Sequence, residues 1–246
     1  MRKAARAPKL IVALDVAALD AALTLVDQLH ALGVGFKIGH EALFGYGDAI
    51  RERLERRGSA VFVDAKLHDI PRTVAAGVRA IVRPGVEIIS IHALGGNDMM
   101  IAAVDAAAAR AAELGIPPPG IFAVTVLTSI APEELNELGF QGGPGENAMR
   151  LAALARDARC NGIICSSHEV HDLKAFFGSD LLTLCAGIRP AGIAHGDQKR
   201  VATPRAAVEG GADYLVVGRP ITEAADPAEA ARAILEEMAA ALADGR

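Results

Sequence analysis

One stretch decides the fold: AVFVDAKLHDIPRT, residues 60–73. Its first part, residues 60–64, is a short apolar run that ends at Asp64, which is typical of a strand buried on both faces of a parallel sheet. The chain must then turn at Ile70-Pro71, because a proline fixes its own φ and restricts the residue before it. The stretch therefore predicts a buried strand, a polar strand end and a turn.

The same pattern recurs along the whole chain. Seven further apolar runs lie at residues 10–15, 34–39, 86–92, 120–127, 162–166, 181–186 and 213–218, with longer stretches rich in Ala, Leu, Glu and Arg between them. Eight strand–helix units predict an α/β fold, with residues 1–246 forming a single-domain (β/α)8 TIM barrel. The alternative is a doubly wound open sheet, but its GxGxxG fingerprint after the first strand is missing, and Asp15 stands there instead.

Helix boundaries support this division of the chain. Gly33 is a stop signal after the first helical stretch, since glycine adopts the left-handed conformation that ends many helices. Thr203-Pro204 and Asp226-Pro227 each place a capping residue before a proline at the first helical position. We therefore expect helices to begin at both dipeptides.

Composition excludes several classes of function. The chain has 25 basic and 30 acidic residues, and a net charge of −5 argues against nucleic-acid binding by bulk electrostatics. No uninterrupted apolar stretch reaches the roughly 18 residues that a membrane span needs. The three cysteines, Cys160, Cys165 and Cys185, are sparse, odd in number and without zinc-site spacing. These features predict a cytoplasmic protein without a metal site.

Charged residues interrupt the apolar runs near their carboxyl ends, where the active site of a parallel barrel lies. Lys37, Asp64 and Lys66 stand among apolar neighbours, and ionised groups there need partners of opposite charge. Asp64 and Lys66 are two residues apart, so strand alternation puts them on one face. With Asp69 they form a set that can balance its own charge, either as a catalytic array or as a buried structural salt-bridge network.

The ends of the seventh and eighth strands carry a different signal. Gly187 and Arg189 follow the seventh run, and Gly218-Arg219 ends the eighth. Barrels often bind phosphate after these two strands, where glycine permits a close backbone approach and arginine binds phosphate through two hydrogen bonds. The interpretation is a phosphate site, with an ordinary glycine-rich loop as the alternative.

Residues 64–73 resemble the DxKxxDIPxT signature of the orotidine 5′-phosphate decarboxylase family. Further segments resemble that family at residues 10–15, 36–39, 125–129, 187–190, 196–200 and 218–220. The resemblance implies removal of CO₂ from orotidine 5′-phosphate to give uridine 5′-phosphate in de novo pyrimidine biosynthesis, without a cofactor. Arg72 departs from the small polar residue common before the threonine, and this puts no catalytic role in doubt.

Two rival functions stay open from the sequence. The chain is also similar to keto-gulonate-phosphate decarboxylases and hexulose-phosphate synthases, in which we would expect an acidic Mg²⁺ ligand at the position of Lys37. A cation there disfavours a nearby divalent metal. The second rival is a catalytically silent barrel that only binds nucleotides, which would not need the charged set of Lys37, Asp64, Lys66 and Asp69.

The resemblance also implies roles for individual residues. Lys66 stabilises the developing carbanion and donates the proton that replaces CO₂, Asp64 lies near the substrate carboxylate, and Lys37 and Asp69 complete a Lys-Asp-Lys-Asp array. By the same resemblance, Asp15 and Lys37 contact the ribose hydroxyls, and Thr128 and Ser129 face the pyrimidine edge. The residues implied to bind the phosphate are Arg189, Gln198, Gly218 and Arg219.

A shared site between two subunits is the last implication of the resemblance. In the family, the residues that match Asp69 and Thr73 reach into the neighbouring subunit's site, which implies a homodimer. His68 lies inside the signature but receives no role. His92 is expected to be a polar residue packed under the site rather than a ligand or an acid.

Overall fold

Eight parallel strands close into a barrel in a computed structural model of the chain, which describes residues 7–191 and 201–244. The strands follow one another around the barrel in chain order, and β8 (Tyr214–Val217) pairs with β1 (Lys9–Ala13) to close it. The closed ring confirms the (β/α)8 prediction, because a doubly wound sheet has two open edges.

The remaining strands are β2 (Gly35–Ile38), β3 (Val61–Leu67), β4 (Val86–His92), β5 (Gly120–Val124), β6 (Gly162–Ser166) and β7 (Leu182–Ala186). The α-helices of the described residues are α1 (Leu19–Leu29), α2 (His40–Gly45), α3 (Gly47–Arg56), α4 (Pro71–Ile81), α5 (Gly96–Leu114), α6 (Pro132–Glu137), α7 (Pro144–Asp157), α8 (Ser167–Phe177), α9 (Pro204–Glu209), α10 (Arg219–Thr222) and α11 (Pro227–Asp244). Short 3₁₀ turns lie at His30–Leu32 and Ala93–Gly95. None of these helices is both long and apolar enough to cross a membrane.

The predicted helix signals lie where the sequence placed them. Gly33 follows the first helix with a φ of 71°, in the left-handed region. Thr203 Oγ1 accepts a hydrogen bond from the amide of Ala206 at 3.1 Å. Asp226 Oδ1 accepts one from the amide of Glu229 at 2.9 Å. Each side chain satisfies an amide that has no partner within its own helix, so both predicted starts are confirmed.

Two apolar layers hold the barrel together. Strand residues that point inward form a small inner core, in which Phe122 and Tyr214 meet edge to face with ring centroids 5.7 Å apart. Outward-pointing strand residues pack against the helices in a larger second layer, which includes the fully buried Met99 and Met100. Because each strand is buried on both sides, the strands are apolar throughout rather than alternating.

The third strand differs from its prediction. The apolar run at residues 60–64 predicts a strand whose end carries Asp64 and Lys66, and β3 continues one residue further, to Leu67. Its pairing with β4 is irregular, because Val63 pairs with Ile89 and Leu67 pairs with Ile91. Three residues of β3 therefore stand opposite the single residue Ser90. This is a β-bulge, a feature that often re-aims side chains beside active sites.

Candidate active site

A cavity of about 460 Å³ opens at the carboxyl ends of the strands, the end where parallel barrels carry their active sites. Most of the predicted site residues line it. They are Asp15, Lys37, Asp64, Lys66, Thr128, Ser129, Arg189, Gly218 and Arg219. Thr222 and Glu223, which the sequence did not single out, line the rim after β8. The strand ends thus bring together predicted residues that are far apart in sequence, such as Asp15 and Arg219.

Four charged side chains form a continuous chain on one wall of the cavity. Lys37 Nζ lies 2.9 Å from Asp15 Oδ1 and 3.3 Å from Asp64 Oδ2. Lys66 Nζ lies 2.7 Å from the same Asp64 oxygen. One carboxylate oxygen is thus shared by two ammonium groups. The prediction that Asp64 and Lys66 lie on one face agrees with this contact.

Asp64 is the buried centre of this group. Burial raises the pKa of its carboxyl group, but Lys37 and Lys66 and the hydrogen bonds from Lys66 and Ser90 outweigh burial, so that the pKa lies below its ordinary value. Asp64 is therefore ionised at neutral pH although its side chain is only 6% exposed. A buried charge of this kind is tolerated because it is paired and hydrogen-bonded.

Ser90 is a site residue that the sequence did not reveal. It is fully buried on β4, and its Oγ donates to Asp64 Oδ1 at 2.8 Å. The amide of Lys66 donates to the same Oγ at 2.9 Å. A serine within an apolar run gives no sign of which neighbour it faces, so only the pairing of β3 with β4 could identify it.

The bulge in β3 is stabilised by one side chain of β4 and one of α2. Lys66 adopts a φ of 46°, a left-handed conformation that is uncommon for residues other than glycine. Its amide bonds Ser90, and the carbonyl of Ala65 lies 3.0 Å from His40 Nε2. A carbonyl oxygen can only accept, so this contact requires the hydrogen of His40 to be on Nε2. His40 is the first residue of α2, which follows β2, so side chains of β4 and α2 support the bulge.

Gly39 leaves room for the pair of Asp15 and Lys37. A Cβ atom at this position would lie 2.8 Å from Asp15 Oδ1 and 2.8 Å from Lys37 Nζ. Real Cβ atoms essentially never approach other atoms so closely, so any larger residue would displace the ion pair. The glycine is thus required here for space rather than for backbone conformation.

The described residues of the predicted phosphate site lie at the ends of β7 and β8. Strand β7 is four places from β3 in the ring of eight, and the described part of its loop places Arg189 in the cavity lining. Arg189 is buried, and its Nη1 donates to the carbonyl of Ile188 at 2.9 Å. Arg219 lines the cavity at the start of α10, beside Gly218. Gln198 lies outside the described residues.

Asp69 and Thr73 stand apart from this arrangement. Both are exposed, and neither lines the cavity of the described chain. Asp69 Oδ1 accepts from the amide of Ile70 at 2.6 Å, just before α4 begins. Within one chain, Asp15 rather than Asp69 is the second carboxylate of the group, and it contacts Lys37.

His92 lies beside the charged residues but outside the cavity lining. Its ring centroid is 5.4 Å from that of His68, and burial, followed by electrostatic interaction with His68 and Lys66, lowers the pKa of His92 to about 4. His92 is therefore neutral at pH 7, which agrees with the prediction of a packed polar residue. The described residues contain no group of three or more His, Cys, Asp or Glu side chains that could hold a metal ion.

A second lysine–aspartate cluster lies at the opposite end of the barrel. Asp213 directly precedes β8, and its Oδ2 lies 2.5 Å from Lys174 Nζ. The same oxygen accepts from the Thr183 amide at 2.7 Å and from Thr183 Oγ1 at 3.2 Å. Lys174 also donates to the carbonyl of Leu181 at 3.0 Å. We call Lys174, Thr183 and Asp213 the base cluster, and Asp15, Lys37, Asp64, Lys66 and Ser90 the site cluster.

Comparison with known proteins gives consistent results. Residues 8–234 match the family described as "Orotidine 5′-phosphate decarboxylase / HUMPS family". The chain is 48% identical over 227 residues to the orotidine 5′-phosphate decarboxylase of Paramagnetospirillum magneticum, covering 92% of this chain and 97% of the relative. It is 46% identical over 232 residues to that of Idiomarina loihiensis, covering 94% and 98%. A crystal structure of the enzyme from Lactobacillus acidophilus superimposes with a TM-score of 0.81 at 36% identity, covering 94% and 99% of the two chains.

Proposed function

The chain belongs to the orotidine 5′-phosphate decarboxylase / HUMPS family, and we propose that it removes CO₂ from orotidine 5′-phosphate to give uridine 5′-phosphate without a cofactor. This reaction is a step of pyrimidine biosynthesis. The observation that carries the proposal is the sharing of one buried Asp64 oxygen by Lys37 and Lys66, at 3.3 and 2.7 Å. The family match over residues 8–234 supports treating residues 1–246 as one catalytic domain.

The chemistry requires strong electrostatic stabilisation. When CO₂ leaves C6, the electron pair of the broken bond remains in the plane of the pyrimidine ring, where the ring π-system cannot accept it. A positive charge held beside C6 lowers the energy of this carbanion, and a proton donor at the same place completes the reaction.

Lys66 provides both functions in this proposal. Its ammonium group stabilises the charge that develops at C6 and then transfers one proton from Nζ to that carbon. The C6–carboxylate bond breaks, a C6–H bond forms, and the amine left on Lys66 regains a proton from water. The side chain suits this role because it is 30% exposed in a cavity that could admit the substrate.

Asp64 and Lys37 hold Lys66 in place. Asp64 is ionised and buried, so a substrate carboxylate placed beside it would be repelled, and loss of CO₂ would relieve that repulsion. Ground-state destabilisation of this kind is one contribution among several, and the fixed charges also preorganise the site. Asp69 completes the Lys-Asp-Lys-Asp array from a second subunit.

The other lining residues hold the rest of the nucleotide. Asp15 and Lys37 bind the ribose hydroxyls, and Thr128 and Ser129 face the pyrimidine edge. The phosphate is bound by Arg189, Gln198, Gly218 and Arg219. Binding energy from the phosphate, far from C6, can be used to orient the reacting ring.

The functional unit is a homodimer with shared sites. The exposure of Asp69, Ile70 and Thr73 beside the site supports this, since these side chains are available to a second subunit. Mixing Lys66→Ala and Asp69→Ala proteins should restore part of the activity through hybrid dimers. If subunits exchange and no activity returns, the sites are not shared. The sparse cysteines of the chain support a cytoplasmic location.

The decisive experiment measures the loss of orotidylate absorbance on adding enzyme in the presence of EDTA. We expect full activity in EDTA, because the ammonium group of Lys37 occupies the place where metal-dependent relatives would hold a carboxylate. Single-turnover measurement on Lys66→Ala should show decarboxylation slowed by at least about 10⁴-fold. Loss of activity in EDTA would favour metal-dependent chemistry, and near-normal turnover by Lys66→Ala would refute the assigned proton donor.

A further inference from the structure

We infer that Ser90 is a positioning residue for the decarboxylation, because its one hydroxyl fixes both the Asp64 carboxylate and the backbone of Lys66. The inference rests on the proposed function and adds a residue to it. Ser90 does not line the cavity among the described residues, so it acts through its two neighbours rather than on the substrate.

The bulge in β3 creates the need for such a residue. Between the pairs Val63–Ile89 and Leu67–Ile91, the ladder has three residues on β3 and one on β4. An amide in a bulge loses its regular partner in the ladder. The amide of Lys66 instead donates to Ser90 Oγ at 2.9 Å, so a side chain replaces the missing backbone acceptor.

The direction of the Ser90 hydroxyl follows from these contacts. Its oxygen receives the Lys66 amide hydrogen, and its own hydrogen points to Asp64 Oδ1 at 2.8 Å, because an ionised carboxylate can only accept. With no exposed surface, the hydroxyl has no competing water to bond. The oxygen thus links the main chain of one catalytic residue to the side chain of another.

This link sets the orientation of the carboxylate. Oδ1 is held by Ser90, and Oδ2 therefore faces Lys37 and Lys66 at 3.3 and 2.7 Å. Without the hydroxyl, the carboxylate can rotate and the left-handed backbone of Lys66 loses its amide partner. A small displacement of Lys66 Nζ relative to C6 is expected to slow the chemical step more than it weakens binding.

The test compares Ser90→Ala with Ser90→Thr. Ser90→Ala should lower kcat by about 10- to 100-fold while KM and the affinity for uridine 5′-phosphate stay within about threefold. Ser90→Thr keeps the hydroxyl and should recover most of kcat. Should Ser90→Ala fail to fold, Ser90→Cys, which fills the site with a slightly larger group that hydrogen-bonds weakly, should show the same selective loss of kcat.

Thr183→Val is the matched control. Thr183 is a buried strand residue whose hydroxyl also donates to a carboxylate paired with a lysine, but at the other end of the barrel. Its replacement should leave kcat within about twofold while lowering the melting temperature. A kcat for Ser90→Ala or Ser90→Cys within threefold of the wild type, or a loss that appears in KM alone, would overturn the positioning role. Failure of the wild type to decarboxylate orotidine 5′-phosphate would instead overturn the proposed function itself.

Discussion

The site cluster and the base cluster both combine lysine, aspartate and a side-chain hydroxyl group. They differ in how many lysines share the buried aspartate. In the base cluster one lysine meets one aspartate, and Asp213 Oδ2 accepts hydrogen bonds from Lys174 and from both the amide and the hydroxyl of Thr183. In the site cluster two lysines share one buried carboxylate oxygen, and the second carboxylate, Asp15, is 51% exposed. The four charges of the site cluster balance, but Lys66 is 30% exposed and lines the cavity.

This difference separates a structural ion pair from a functional one. Burial and pairing are common to both clusters, so neither property alone identifies an active site. The base cluster satisfies its charges within the protein, as a structural ion pair does. The site cluster presents Lys66 to a cavity, where the ammonium group can act on a bound ligand. A charged group that is paired with a buried partner and also faces a cavity is the more useful sign of function.

The largest expected effect comes from replacing the aspartate of each cluster. Asp64→Asn should lower kcat/KM by about 10³- to 10⁴-fold, because the charge that orients both lysines is removed. Asp213→Asn should keep kcat within about threefold but lower the free energy of unfolding by roughly 2–3 kcal/mol, since it breaks a largely buried pair. Steady-state kinetics and urea unfolding of both variants provide the measurement. Similar losses of activity in the two proteins would remove the distinction between the clusters.

A smaller effect is expected from crowding the site cluster. Gly39→Ala would place a methyl group 2.8 Å from both Asp15 Oδ1 and Lys37 Nζ, and the flexible lysine end should shift to make room. We expect kcat/KM to fall by about tenfold, which corresponds to about 1.4 kcal/mol in the barrier.

The control for this prediction lies on the same strand. At Gly35, at the amino end of β2, a Cβ would meet its nearest neighbours at 3.4 Å, which is close to ordinary contact. Gly35→Ala should therefore leave kcat/KM within about twofold. If both alanine variants behave alike, the space at Gly39 has no special importance for the ion pair.

The smallest expected effect concerns pH. The pKa of His92 is lowered to about 4, so between about pH 4 and 6.5 the unfolded chain binds a proton at this residue that the folded chain does not. Stability should therefore fall as the pH falls through this range, by roughly 1 kcal/mol between pH 7.5 and 5 after allowing for solvent screening.

Replacing His92 tests this pH dependence directly. Urea unfolding of His92→Asn should show a smaller loss of stability between pH 7.5 and 5 than the wild type shows. His171→Gln, a change on the exposed surface of α8, should reproduce the wild-type loss. An unchanged loss in His92→Asn would mean that other groups determine the acid sensitivity.

Much of the fold could be predicted because its signals are local. A strand buried on both faces must be a continuous apolar run, and each of the eight runs contains or overlaps a strand of the barrel. Lys37, Asp64 and Lys66 were identifiable because charges inside such runs are unusual. Gly33, Thr203 and Asp226 could be interpreted from the local demands of helix ends.

The features that could not be predicted from the sequence depend on contacts between strands. Neither the bulge in β3 nor the role of Ser90 is visible in the sequence of either strand alone, because both arise from the irregular pairing of β3 with β4. The contact of Asp15 with Lys37 likewise depends on the pairing of β1 with β2. The local sequence shows that a charged residue lies in an apolar strand, whereas the tertiary fold determines which residue forms an ion pair or hydrogen bond with it.

Closure of the barrel has a consequence for the order in which the site can form during folding. The first strand hydrogen-bonds to the last, through pairs such as Lys9–Tyr214 and Val12–Val217. Asp15 and Arg219 are therefore brought to one cavity only after nearly the whole chain is in place. Contacts between such distant segments form slowly because a long loop must be closed first. An early folding intermediate that contains β1 to β4 would hold the lysines but not Arg189 or Arg219, and so catalytic activity would report that folding is complete.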